Sequence, residues 1–322
     1  MSTTVIAARP SAVTQAEQDE LRARVNALLQ EEKISQKQAA SEAGIGYSTF
    51  AAWLQDTYTG DRAAQAILVR KWLAHREQRR EVREALPGDP GFQETPTARR
   101  ILTMLRYCQS APDVGVIAGG AGIGKTVTSE EYRRRSPNVF IVTAEPVMKS
   151  AHRFVAEVGA TLNVSGARTS TRLSAAISDR LSGAGALLIV DEAQHLGAEA
   201  LDQARSFHDR AKCGLVFLGN QSVYSRMGDG RAEFAQIFSR IGMKITQAKP
   251  KAEDVDLMLD AWAMKIDRKL PKQIAQKPGA LRGLSKALRI AHMLAAGDGV
   301  EVSDDHVRKA WEQIGFDTRL DG

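Results

Sequence analysis

Gly119, Gly120, Ala121, Gly122, Ile123, Gly124, Lys125 and Thr126 fill every position of a G-x-x-x-x-G-K-[ST] phosphate loop. No other stretch limits the fold so strongly, because such a loop works only between the end of a strand and the start of a helix. The apolar run Val114-Gly115-Val116-Ile117-Ala118 supplies the strand, and Val127 to Tyr132 supply the helix start. Glycine is required where a side chain would keep backbone N–H groups from closing around phosphates. The helix N-terminus behind the loop adds partial positive charge where the anion sits. On this reading residues Gly119 to Thr126 bind a nucleotide. Lys125 reaches its β and γ phosphates, and the Thr126 hydroxyl ligates Mg²⁺.

A second element turns binding towards hydrolysis. Ala186-Leu187-Leu188-Ile189-Val190 is a continuous apolar run, as expected for a central parallel strand buried on both faces, and it ends in Asp191 and Glu192. Downstream of a phosphate loop, the first carboxylate at such a strand end orders the water shell of Mg²⁺. The second polarises the attacking water. Taken alone, Asp191 would serve equally well as the cap of a helix beginning near Ala193. The complete phosphate loop upstream favours the metal role, so the expected cofactors are ATP and Mg²⁺.

Strand candidates at Val114–Ala118, Val139–Thr143, Leu187–Asp191, Leu215–Gly219 and Met243–Thr246 alternate with helical stretches, which implies βαβ units and a mostly parallel five-stranded sheet. This α/β region spans residues 96–248. Before it, residues 1–85 read as short helices, and the helix-breaking run Leu86-Pro87-Gly88-Asp89-Pro90-Gly91 opens a linker over 86–95. After it, residues 249–322 are helical, with Val255, Met258, Leu259, Trp262 and Ile266 at helical spacing. Glu253 and Asp254 lie at the favourable N-terminal end of that helix.

The 322-residue length accommodates two or three domains with their own cores, and 43% hydrophobic with 25% charged residues excludes wholesale disorder. A net charge of +6 leans towards an anionic partner without specifying one. Cys108 and Cys213 lack metal-ligand spacing and fit a reducing cytoplasm better than a disulfide framework. No apolar stretch reaches the length of a membrane span, so the expected location is cytoplasmic.

The stretch Ile34 to Leu54 has helix-turn-helix form. Ala39, Ala40 and Ala43 permit a close helix crossing, Gly44 makes the turn, and Ile45, Phe50, Trp53 and Leu54 fill a core. The second helix then presents Tyr47, Ser48 and Thr49 outward, where a recognition helix meets DNA. Yet Gly46 to Gly60 contains no Lys or Arg, although phosphate neutralisation dominates DNA affinity. DNA contact and a purely protein-binding bundle therefore both stay open for this module, with Lys33, Lys37 and the basic run from Arg70 to Arg80 able to compensate.

With the phosphate loop, Asp191-Glu192, the later strand and the helical tail side by side, the chain resembles AAA+ ATPases. Leu215 to Asn220 ends in a polar residue at the place of the family's sensor 1, which implies that Asn220 helps orient the attacking water. Phe238-Ser239-Arg240-Ile241-Gly242 resembles the arginine-finger segment, with Arg231 the rival to Arg240. Gly279-Ala280-Leu281-Arg282 resembles the sensor 2 helix of a C-terminal lid, which gives Arg282 a phosphate contact from within the same chain. Guanidinium suits both arginine roles because it is a forked cation facing developing charge.

Within the superfamily the chain is similar, over nearly its full length, to the phage Mu transposition protein B family. Gly119–Thr126 and Leu188–Leu196 are shared by many ATPases; Asn220–Tyr224 and Glu233–Lys244 carry the more distinctive likeness. The resemblance implies ATP shared between subunits of a helical homo-oligomer on double-stranded DNA with little sequence preference. It also implies delivery of that target DNA to a DDE transposase and stimulation of strand transfer. Basic residues on loops after the second strand would face the DNA: Lys149, Arg153 and Arg168, with Ser150 and Thr169 available for phosphate hydrogen bonds. Two other functions remain open at this level: a helicase loader acting on single strands, and a DNA-binding regulator whose ATPase only switches its oligomer state.

Overall fold

The computed structural model describes residues 13–85, 88, 90–165, 169–183, 185–222 and 239–315. The chain divides into a unit spanning Met1–Leu86 and a second spanning Pro87–Gly322.

In the first unit, α1 (Gln15–Glu31), α2 (Gln36–Ala43), α3 (Tyr47–Leu54) and α4 (Arg62–Ala85) enclose one apolar core. Ser35 caps α2 by accepting from the Gln38 N–H at 3.1 Å. Gly44 ends that helix at φ 69°, a left-handed conformation that glycine adopts without a Cβ penalty. The turn into α3 is therefore tight, and it delivers Phe50 and Trp53 into the core as the period predicts. Phe50 meets Trp72 of α4 edge-on at 6.3 Å between centroids. Truncating either aromatic to Ala would cost about 3–5 kcal/mol.

The second unit is built on a parallel sheet of β1 (Val114–Gly119), β2 (Val139–Thr143), β3 (Leu187–Asp191), β4 (Gly214–Gly219) and β5 (Ile241–Gln247), in the order β2-β3-β4-β1-β5. The three inner strands are buried along their whole length, which is why they read as unbroken apolar runs. The edge strands β2 and β5 are only partly covered and alternate more. Around the sheet lie α5 (Pro96–Ser110), α6 (Lys125–Arg135), α7 (Ala151–Thr161), α8 (Ser170–Leu181) and α9 (Ala198–Ala211), with an apolar core on each face.

A helical lid follows: α10 (Ala252–Ala261), α11 (Lys269–Ala275), α12 (Ala280–Asp298) and α13 (Asp304–Gln313) share their own core around Leu284, Leu288 and Trp311. It is pinned to the body by Asp254, which is wholly buried. That carboxylate accepts from the Thr97 N–H at 2.9 Å, the Thr97 hydroxyl at 2.5 Å and the Lys251 N–H at 2.8 Å. No helix among the described residues is long and apolar enough to cross a membrane. Both cysteines are free and buried; burial, then the charge of Asp113, pushes the Cys108 thiol up to about 12, and burial pushes Cys213 up to about 11.

Candidate functional site

The strand order decides where the chemistry collects. In a parallel sheet all carboxyl ends share one edge, and β4 lies between β1 and β3. The loop after β1, the carboxylates at the end of β3 and the end of β4 therefore lie along one edge of the sheet.

Gly119 to Thr126 leave β1 and enter α6. Gly120 and Gly122 are held against backbone: a Cβ on Gly120 would stand 2.0 Å from the Ala248 carbonyl oxygen, and one on Gly122 would stand 2.1 Å from that of Gly279. Gly122 (φ 80°) and Gly124 (φ 96°) also need the left-handed region. The loop is tied to the lid by a hydrogen bond from the Leu281 N–H to the Gly122 carbonyl at 3.1 Å. The Lys125 ammonium donates to the carbonyls of Gly119 and Gly120 at 2.9 and 2.8 Å. Burial pushes its pKa below the ordinary lysine value; Asp191 and Glu192 oppose that shift and Arg282 adds to it.

Thr126 donates its hydroxyl to Asp191 Oδ2 at 2.6 Å, and Asp191 Oδ1 accepts from the Glu192 N–H at 2.8 Å. Asp191 is buried, so its position is set by the sheet. This hydroxyl and carboxylate are hard oxygen donors of the kind Mg²⁺ takes together with waters and phosphate oxygens. Among the described residues no cluster of three or more His, Cys, Asp or Glu offers an all-protein cage.

Glu192 is exposed and left-handed, at φ 52° and ψ 35°, a conformation that costs a non-glycine residue about 1 kcal/mol. The helix expected to begin near Ala193 does not continue. A 3₁₀ turn at Ala193–His195 intervenes, and α9 begins only at Ala198 after the extended Gly197.

Phosphate loop, Glu192 and Arg282 line one cavity of about 590 Å³, within the range of small-molecule sites. Its remaining wall was not among the expected site residues. Phe92 and Gln93 come from the linker before α5, and Met258, Trp262 and Leu281 come from the lid. In the sequence the first two lie in an apparent linker, and the lid residues look only like core stripes. Their signal is chemical: flat and apolar side chains beside a phosphate loop offer a nucleobase its stacking face. Trp262 itself stacks on His292, 5.5 Å between centroids, and burial pushes the His292 pKa down.

Other expected site residues lie apart from this cavity. The Asn220 carboxamide oxygen accepts from the Ser222 N–H at 2.9 Å. Arg240 bonds Asp209 at the end of α9, 3.1 Å from Nε to Oδ1, and Asp209 also pairs with Arg205 at 2.6 Å. Arg231, Arg168, Tyr224 and Glu233 to Phe238 lie outside the described residues.

Lys149, Ser150 and Arg153 are exposed at the start of α7, and Thr169 is exposed as the cap of α8, accepting from the Arg172 N–H at 3.3 Å. A His152–Ser170 hydrogen bond joins the first turns of the two helices, so these side chains share one end of the pair. In the first unit, Tyr47 and Ser48 are exposed and Thr49 is half-buried on α3. Arg76 bonds Glu32 and Glu42 and lies over the Trp72 ring, which engages one cation of the basic run in holding the helices together.

Comparison with known proteins adds independent findings. Residues 239–314 match the family model described as Mu B transposition protein, C terminal, and residues 108–227 match the AAA domain. The chain is 38% identical over 306 residues to the ATP-dependent target DNA activator B of Escherichia phage Mu, covering 94% of this chain and 97% of that protein. It is 35% identical over 266 residues to the Mu-like prophage FluMu DNA transposition protein B of Haemophilus influenzae, covering 80% and 91%. The ORC2 protein of Aeropyrum pernix superposes with a TM-score of 0.53 at 20% identity, over 70% of this chain and 69% of that one. That last likeness bears on the fold, which is an AAA-type P-loop fold with an all-parallel five-stranded sheet.

Proposed function

The chain belongs to the Mu B transposition protein family, and on that premise we propose that it is an ATP-hydrolysing, DNA-binding activator of transposition. ATP occupies the cavity under the lid, with its phosphates in the loop Gly119–Thr126 and its base against Phe92, Met258 and Trp262. Lys125 exchanges its two loop carbonyls for phosphate oxygens. Thr126 and Asp191 hold Mg²⁺, which when bound neutralises charge developing on the transferred phosphoryl group. Glu192 takes the proton of the attacking water, Asn220 helps orient that water, and Arg282 contacts the phosphates from the lid. The observation carrying this reading is the convergence of Lys125, Glu192 and Arg282 on one cavity, beside a hydroxyl–carboxylate pair built for a hard cation.

Arg240 acts on a neighbouring subunit, exchanging Asp209 for a phosphate, with Arg231 as the rival donor. ATP thereby promotes a helical homo-oligomer on double-stranded DNA in the bacterial host cytoplasm. DNA lies along Lys149, Ser150, Arg153, Arg168 and Thr169, contacts to the backbone that carry no sequence information. The α3 face of Tyr47, Ser48 and Thr49 adds a further contact. The oligomer delivers its DNA to a DDE transposase and stimulates strand transfer. Support for this arrangement is the exposure of Lys149, Ser150, Arg153 and Thr169 at one end of α7 and α8, together with the likeness to the phage Mu relative, an ATP-dependent target DNA activator.

Nucleotide binding and turnover measured for the parent chain, Lys125→Ala and Glu192→Gln test the chemistry. Lys125→Ala should lose nucleotide binding, whereas Glu192→Gln should bind ATP normally and turn over at least about a hundredfold more slowly. Rapid hydrolysis by Glu192→Gln would remove Glu192 from the role of base.

A further inference from the structure

Glu192 is exposed, so packing does not hold its carboxylate in one direction. A free glutamate side chain samples many rotamers, whereas a general base acts only within hydrogen-bond reach of its proton. One neighbour supplies the missing constraint. Gln194 Nε2 donates to Glu192 Oε2, and Gln194 Oε1 accepts from the backbone N–H of Asn220 at 3.3 Å. Only one orientation of the amide serves both groups, because the carboxylate takes a donor and the peptide N–H takes an acceptor.

We propose that Gln194 is a positioning residue for Glu192, aiming the carboxylate by spanning from it to the end of β4. The anchor is firm: β4 is buried along its length between β1 and β3, and the Asn220 side chain closes its own turn onto Ser222. The span joins the proposed base to the residue proposed to orient its water, so both are registered to one strand end. Closing the 3₁₀ turn does not require the Gln194 side chain. The 3₁₀ turn is already closed by backbone bonds from His195 N–H to the Glu192 carbonyl at 3.0 Å and from Leu196 N–H to the Ala193 carbonyl at 3.2 Å.

This inference rests on the reading of the chain as an ATPase with Glu192 as base, and the test separates the two. Steady-state ATP turnover is measured for the full chain, Gln194→Ala, Gln194→Glu, Glu192→Gln and the Glu192→Gln/Gln194→Ala double variant, with thermal melting as a fold control. Gln194→Ala should lower kcat about tenfold and leave KM for ATP within about twofold. Gln194→Glu keeps the length and the acceptor for Asn220 but turns an acceptor towards Glu192, so it should lose more. In the Glu192→Gln background, Gln194→Ala should change the residual rate by less than about twofold, because the two act as one unit. If the parent turns over ATP, Glu192→Gln stalls it and both Gln194 variants keep the parental kcat, the positioning role is overturned and the ATPase reading stands. An equal loss from Gln194→Ala in both backgrounds would also overturn it. A parent without turnover would bring down the ATPase reading and this inference with it.

Discussion

In the proposed role Lys125 meets phosphate as an ammonium, and in the free chain burial pulls its pKa below the ordinary value of 10.5. Phosphate oxygens in the loop favour the charged form and move the pKa back up. The sign follows: affinity is level below the free-chain pKa and falls as pH rises through the window between the free and the bound value. That window opens below the ordinary lysine range. Titration of a fluorescent ATP analogue between about pH 7 and pH 10 should show affinity weakening before an ordinary lysine would lose its proton. Level affinity throughout would place Lys125 away from the phosphates. The place of this residue at the end of the loop was legible because the motif fixes a lysine there, and its ammonium lies on the loop carbonyls of Gly119 and Gly120. Asp254 was not: it reads as a favourable charge at a helix start, yet it lies buried on Thr97, 157 residues away in sequence. No local pattern announces a partner that distant. Phe92 was missed for the same reason, since only folding brings it from the linker to the wall of the cavity.

Among elements, the strands were the most legible, because burial on both faces demands an unbroken apolar run. The start of α9 was less so. Apolar and small residues continue past Asp191, but β3 passes through left-handed Glu192 into a 3₁₀ turn, and α9 begins only after the extended Gly197. Gly197 is also where the loop before α7 presses closest: a Cβ there would stand 2.2 Å from the Lys149 carbonyl oxygen. The contact brings the backbone at a proposed DNA-facing residue against the segment that follows Glu192. Gly122 plays the matching part between phosphate loop and lid, although the motif leaves that position unspecified. Gly122→Ala meets both a positive φ and a backbone oxygen 2.1 Å away, so the loop must part from Gly279. We expect that variant to melt as a folded protein with nucleotide affinity reduced by at least about tenfold, which is about 1.4 kcal/mol, by equilibrium titration. Parental affinity in Gly122→Ala would mean that the lid contact does not shape the site.

The whole molecule comprises two units, of which the larger holds the complete cavity and the smaller a helix-turn-helix core. The sequence separates residues 96–248 from 249–322 by pattern, whereas the contacts join both in the larger unit; what Arg240 contacts in an assembly is not written in a single chain. Here it pairs with Asp209, a carboxyl that burial would raise but that the guanidiniums of Arg240 and Arg205 hold below its usual range. On the proposed arrangement, reaching a neighbour's phosphates means leaving Asp209 behind, and bound ATP has to make that exchange favourable. The central claim, that ATP in this cavity drives assembly on duplex DNA, is tested most directly by electron microscopy of the purified chain with long random-sequence duplex, with ATP or ADP. The account predicts regular helical arrays along the duplex with ATP and none with ADP or with Lys125→Ala; dispersed single chains under all three conditions would contradict it.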